Sequence, residues 1–271
     1  MTYFYKKGSP NPISYPVTDL GNLTPGSNLH SPKIGDPHGL PAPAMPGSIA
    51  FEDELAEVLG VRMRVIENRM PYEFLAKYHP RADYDPRKVP EPIRRAGLQY
   101  NAKNMVRLVH MDRPIDIGLA CWNYLVATGA TLVAPETGFN DFINRVPDAH
   151  LVLAQKICDS MDRCFEAKYF YGKPRPEEAF ARTGLPWNIT GYDEGCPNHP
   201  AYPAGHGAAA GSVSVLFTHF NTTQQQRNEV IDACYVWAMS RTLAGVHYAV
   251  DNLAGLAIGG MGSFDGTSWT L

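Results

Sequence analysis

The chain has 271 residues, 44% of them apolar, with 24 basic and 27 acidic side chains for a formal net charge of −3. That length and composition suffice to bury a full core in one large domain. The even balance of charge excludes a bulk electrostatic surface for nucleic acid or an anionic membrane, so any anion site has to be local.

Residues 1–47 hold nine of the 23 prolines and several glycines, without a period of two or of 3.6, which rules out a helix or a central strand there. The expected form is an extended arm, and Tyr3, Phe4, Tyr5, Ile13, Tyr15 and Leu20 favour an arm that docks, because linkers are poor in aromatics. The plan is therefore an arm over 1–47 and a helical domain over 48–271. The first residues carry Lys6 and Lys7 without an apolar segment behind them, which gives no sign of a secretory signal and leaves the cytoplasm as the default location. The apolar stretches 115–135 and 205–217 are interrupted or too short for a membrane span, which needs about 20 apolar residues in succession.

From residue 51 the pattern becomes helical. FEDELAEVLGVRMRVIENRM places Phe51, Leu55, Leu59 and Ile66 near one face with acids in the first turn. Residues 70–97 are rich in proline and charge and read as a long loop. Helices are expected over 99–110, over 114–128 with Pro114 in its first turn, and over 147–170 with Pro147 likewise. Three more follow at 206–219, 224–243 and 247–261, the second opened by a Thr222/Gln225 capping box. Alternating strand patterns are nearly absent, so the fold class is all-α, a bundle of packed antiparallel helices. Cys121, Cys158, Cys164, Cys196 and Cys234 are scattered without a CxxC pair, which indicates neither a zinc site nor a disulfide framework but mostly reduced, buried thiols.

Three stretches carry chemistry. In AYPAGHGAAAGSVSVLF, His206 stands at a helix start, where free backbone N–H groups attract an anion and Gly205 lets the backbone approach it. AKYFYGKPRP offers Lys168 from the last turn of one helix and Arg175 from the segment after Gly172 and Pro174, two cations able to converge on one pocket. SRTLAGVHYAVDN supplies Arg241, His247 and Asp251. Gly245 can end one helix before the next, and Asp251, four residues beyond His247 on one helix face, can accept from one ring nitrogen and leave the other as a lone-pair donor. Each stretch alone also fits an ordinary structural role.

In their order and spacing these residues resemble the signature shared by vanadium-dependent haloperoxidases and the type 2 phosphatidic acid phosphatase superfamily. The matching residues are Lys168 with Arg175-Pro176, then Pro203-Ala204-Gly205-His206, then Ser240-Arg241 with His247 and Asp251. The resemblance implies a helical bundle of the haloperoxidase type, with vanadate as cofactor and phosphate able to take the same place. Lys168, Arg175 and Arg241 would hold the equatorial oxygens with the Gly205 N–H. His247 would be the axial group, bonded to vanadium in a peroxidase or forming a phosphohistidine in a phosphatase; His206 would be the acid and base opposite, and Asp251 would orient His247. The usual serine of the second stretch is Ala204 here, a lost hydroxyl that would weaken the cradle by about 1.5–3 kcal/mol.

HPAYPAGH resembles the haloperoxidase form of that stretch, and its His199 falls where bromoperoxidases carry a second histidine. The reading is therefore a peroxidase that takes hydrogen peroxide, a halide (bromide or iodide favoured) and a small organic acceptor. A soluble acid phosphatase acting through His247 is the alternative, and a non-catalytic assembly protein that kept the fold is a third. The arm leads us to expect a homo-oligomer.

Overall fold

The structure, a computed structural model, describes residues 3–4, 13–14, 39–67, 69, 71–88, 114–133, 149–183, 197, 199–264 and 268–271. Helix α1 spans Ile49–Ile66, α2 Tyr72–Lys77, α3 Pro114–Ala127, α4 Ala149–Tyr171 and α5 Pro176–Thr183. After these come α6 (Gly205–Ser212), a 3-10 turn (Val213–Val215), α7 (Leu216–His219), α8 (Gln224–Leu243) and α9 (Ala249–Gly259). Among the described residues the strands are six two-residue pieces in three antiparallel pairs, Tyr3–Phe4 with Ile13–Ser14, Thr131–Leu132 with Phe220–Asn221, and Ser263–Phe264 with Trp269–Thr270. The protein is all-α, as its sequence pattern requires.

Helix α8 forms the centre. Every residue from Asp232 to Leu243 is buried, so this part of the helix is enclosed on all sides, with Val230, Cys234, Tyr235 and Trp237 among the large core groups. Its N-terminus is closed by a capping box of Thr223 and Gln226, one residue later than the Thr222/Gln225 pair suggested by the sequence; Thr222 instead accepts from Arg227 Nε at 2.7 Å. Gln226 Nε2 also donates to Thr128 O at 3.1 Å and Thr128 Oγ1 at 2.9 Å, which ties the end of α3 to this cap.

Helices α6 and α9 cross at closer range than ordinary side chains permit. Gly207 and Gly211 on α6 face Gly255 and Gly259 on α9. A Cβ added at Gly207 would lie 2.6 Å from Asn252 O, and one at Gly211 would overlap the Leu256 carbonyl. Four glycines thus let two backbones touch and bring the first turn of α6 beside the first turn of α9. Along α4 the buried positions Leu153, Ile157, Ser160, Cys164 and Ala167 run at helical spacing and deliver Lys168 to the same place.

Several elements depart from their sequence reading. Residues 70–97 are not one loop, because α2 and a 3-10 turn at Pro86–Lys88 form within 71–88. The buried stripe of α1 is Phe51, Leu55, Val58, Val61, Arg62 and Val65, whereas Ile66 is exposed; Arg62 joins that stripe because its Nη1 donates to Leu243 O at 2.6 Å. The stretch 206–219 is α6, the 3-10 turn and α7 in series, and the last helix begins at Ala249 instead of 247. The expected helix over 99–110, Pro147, Cys196 and most of the arm lie outside the described residues. From residue 39 the chain is described: Leu40 is buried, Tyr171 Oη donates to Leu40 O at 3.2 Å and Tyr202 Oη to Pro41 O at 2.7 Å. Cys121, Cys164 and Cys234 are buried free thiols, while Cys158 is exposed. Among the described residues no helix is long and apolar enough to cross a membrane.

Candidate functional site

Two glycine-ended helices aim the cations of the site. α4 stops at Gly172, which adopts φ 65°, and the chain then runs extended through Lys173 and Pro174 to Arg175. α8 stops before Gly245, φ 73°, and two residues after that glycine His247 sits just ahead of α9. Lys168, Arg175, Arg241, His247 and Asp251 are all buried.

Arg175 is the hub. Its Nε donates to His199 O at 2.9 Å and its Nη1 to Val246 O at 2.8 Å, with Nη1 3.3 Å from His247 Nε2 and Nη2 3.2 Å from His199 Nδ1. The guanidinium fork therefore fixes both imidazole-bearing loops at once. Lys168 Nζ donates to Pro200 O at 2.7 Å and Ala201 O at 3.0 Å, which spends two of its three protons on the loop before α6 and leaves one for another acceptor. His199 is half-buried with its ring 5.1 Å from that of Phe165.

His247 and Asp251 meet differently from the helix-face pair read in the sequence. His247 precedes the helix, and Asp251 reaches back from its first turn. Asp251 Oδ2 lies 3.2 Å from His247 Nδ1 and accepts from the Tyr248 amide at 3.0 Å. The carboxylate thus caps α9 and holds the Nδ1–H tautomer, which leaves Nε2 with its lone pair beside Arg175. His206 is in the first turn of α6, its ring 5.2 Å from that of Trp237; its Nε2 is fully buried and has no hydrogen-bond partner. Ala204, the N-cap of α6, offers no side-chain cap, and its amide donates to Asp251 O at 2.8 Å.

The electrostatics report a concentrated positive field. Burial, with help from Arg175, pushes the Lys168 amine down to about 7. Burial, with Lys168 and Arg175 behind it, pulls His199 down to about 3. His206 is held well below the usual imidazole range by burial and then by Arg241, His247, Arg175 and Lys168. His247 is depressed by burial and then by Arg175, Lys168, His199 and Arg241. Lys168, Arg175 and Arg241, from two separate stretches, therefore act on both histidines.

This donor set fits a tetrahedral oxyanion. A multiply charged anion would relieve the field that depresses Lys168 and both histidines, and the orphaned His206 Nε2 supplies a buried polar atom in need of a partner. Gly205 fits the cradle as well. A Cβ there would meet only the flexible end of Met161, 3.2 Å away, so packing within the protein does not demand glycine at this position. Among the described residues no group of three or more His, Cys, Asp or Glu is placed to hold a bare metal ion.

Three residues of this network were not singled out in the sequence. Lys173 is buried between Asp251 and Glu54 of α1, and Arg62 holds α1 to the end of α8. Lys173 stands two residues before Arg175 and reads as part of a solvated basic cluster. Glu54 is one of several acids in FEDELAE, with nothing local to distinguish it.

Residues 151–269 match the family model described as the PAP2 superfamily. Among solved structures the chain is similar to one titled the crystal structure of the first bacterial vanadium-dependent iodoperoxidase, at 19% identity and a TM-score of 0.45, over 81% of this chain and 50% of that one. The chain thus corresponds to about half the length of that structure. No curated protein matches it significantly.

Proposed function

With residues 151–269 carrying a PAP2 superfamily domain, we propose that this protein binds vanadate in the cage of Lys168, Arg175, Arg241, His206 and His247 and acts as a vanadium-dependent haloperoxidase. The observation that carries the reading is His247, its Nδ1 engaged by Asp251 and its Nε2 within 3.3 Å of Arg175, under the field of Lys168 and Arg241. Bound vanadate supplies a Lewis-acidic centre that activates hydrogen peroxide for attack by a halide. The residues do the rest. Lys168, Arg175 and Arg241, with the Gly205 N–H, would hold its oxygens and offset their negative charge. His247 Nε2 would be the side-chain atom that binds it, and His206 Nε2 is placed to accept or return a proton beside it. His199, fixed on Arg175, supports a preference for bromide or iodide.

The same geometry favours a second reading, hydrolysis of phosphomonoesters. His247 Nε2 attacks phosphorus as the ester P–O bond breaks; His206, recharged by the bound phosphate, gives its proton to the leaving oxygen; water then cleaves the phosphohistidine, releasing phosphate. What favours it is the prepared lone pair on His247, which needs no added group. Parallel assays separate the two. Bromide or iodide oxidation that requires orthovanadate and is inhibited by phosphate supports the peroxidase. Ester hydrolysis in the absence of vanadate supports the phosphatase. A protein that binds neither anion overturns both readings.

A further inference from the structure

Asp251 has a second face. While Oδ2 serves His247 and the Tyr248 amide, Oδ1 accepts from Lys173 Nζ at 3.2 Å, and Lys173 also donates to Glu54 Oε2 at 2.5 Å. Lys173 Nζ lies 4.0 Å from the centre of the Tyr248 ring. Lys173 and Asp251 are fully buried, and Glu54 is mostly so. Burying three charges costs solvation that apolar residues of the same volume would not, so such a chain is a poor device for stability alone. Its place directly behind the orienter of His247 points to another use.

We propose that Glu54 and Lys173 are positioning residues that set, through Asp251, how firmly His247 Nδ1–H is held and hence how available the Nε2 lone pair is to the oxyanion. The inference rests on the reading of His247 as the group that meets the oxyanion. It also makes α1, which lies outside the matched 151–269 segment, a contributor to the site. Lys173 shared by two carboxylates neutralises Asp251 only in part. Without Lys173, Asp251 would pull harder on the imidazole proton; without the Glu54 charge, Lys173 would turn wholly to Asp251 and weaken that pull. The other charged and titratable groups around this chain, Arg175, Lys168, His199 and Arg241 about His247 and Glu57 near Glu54, stay in place in either case.

The two removals should therefore act in opposite directions, which a merely structural role would not produce. The test follows the downfield Nδ1–H proton of His247 by NMR in the ligand-free full chain at neutral pH, identified by its absence in His247→Gln. Lys173→Met should move it downfield and Glu54→Gln upfield, with the double variant downfield like Lys173→Met, because Glu54 reaches Asp251 only through Lys173. Displacement of both in one direction, or of neither, overturns the proposal. Should Lys173→Met not fold, with two carboxylates facing each other in the interior, the remaining pair decides. Glu54→Gln upfield with the double variant downfield of the wild type supports the proposal, and Glu54→Gln at the wild-type position, or a double variant still upfield, overturns it. Orthophosphate titration of Glu54→Gln should show binding weaker by about threefold or more, and turnover should fall in kcat with KM little changed. If the proton shifts as expected but the wild type binds neither orthovanadate nor orthophosphate, the oxyanion reading fails and the relay stands. If both anions bind and the proton does not move, only the relay fails.

Discussion

Lys168 shows how burial and charge combine at one atom. Its amine titrates near 7 in the fold against 10.5 when unfolded, so between those values the unfolded chain holds the extra proton. Stability of the ligand-free protein should consequently rise as pH increases from about 7 towards 10, and Lys168→Met should remove that rise; urea titrations across this range check it. An oxyanion reverses the balance by favouring the charged amine. Phosphate binding at pH 8 should take up protons, measured calorimetrically in buffers of different ionisation enthalpy, and Lys168→Met should weaken binding by about tenfold or more. Ala204 yields a complementary expectation. Ala204→Ser returns a hydroxyl at the mouth of α6 and should tighten phosphate or vanadate binding by about tenfold or more, since a hydrogen bond to a charged group contributes about 1.5–3 kcal/mol. An equilibrium titration that shows no tightening means the hydroxyl serves only to cap the helix.

At the scale of elements, the α6–α9 crossing holds the site together. Gly211→Ala places a methyl group against the Leu256 backbone, which has no room to yield, and should destabilise the protein by about 2–3 kcal/mol in urea denaturation. Gly118→Ala is the control. Its Cβ would meet the Leu153 side-chain tip at 2.9 Å, a group that can rotate away, so its cost should be clearly smaller. The crossing was only partly legible in the sequence. GHGAAAGS and AVDNLAGLAIGG show glycines four apart, but nothing local says that these two stripes face one another. The start of the last helix was misplaced for a related reason: a histidine and an aspartate four apart suit a helix face, and here Asp251 bends back to cap its own helix instead. Gly172 and Gly245 were readable, because a helix end with a positive φ calls for glycine and little else.

For the whole molecule, the cationic convergence was foreseeable because Lys168, Arg175, Arg241 and His247 sit at helix ends, where chain breaks let distant stretches turn towards one point. The support behind them was not. Lys173, Glu54 and Arg62 read as surface charges on amphipathic elements, and only tertiary packing reveals that α1 delivers an acid and a base to the interior. Ligand linkage tests the assembled cage as one object. Orthovanadate or orthophosphate at about a hundred times its Kd should add about 2.7 kcal/mol of stability, raising Tm by several degrees. Arg241→Met should abolish the shift while leaving the unliganded melting curve cooperative.

The glycine crossing also constrains how such a protein can diversify. At Gly207, Gly211, Gly255 and Gly259 no larger residue fits, so the spacing between the first turns of the two helices is closed to gradual adjustment. Change in what the site accepts has to come from side chains off that crossing, such as the half-buried His199 and Phe165, whose rings lie 5.1 Å apart. A library that randomises those two positions should yield altered selectivity at little loss of folding, and one that randomises the four glycines should yield mostly unfolded chains.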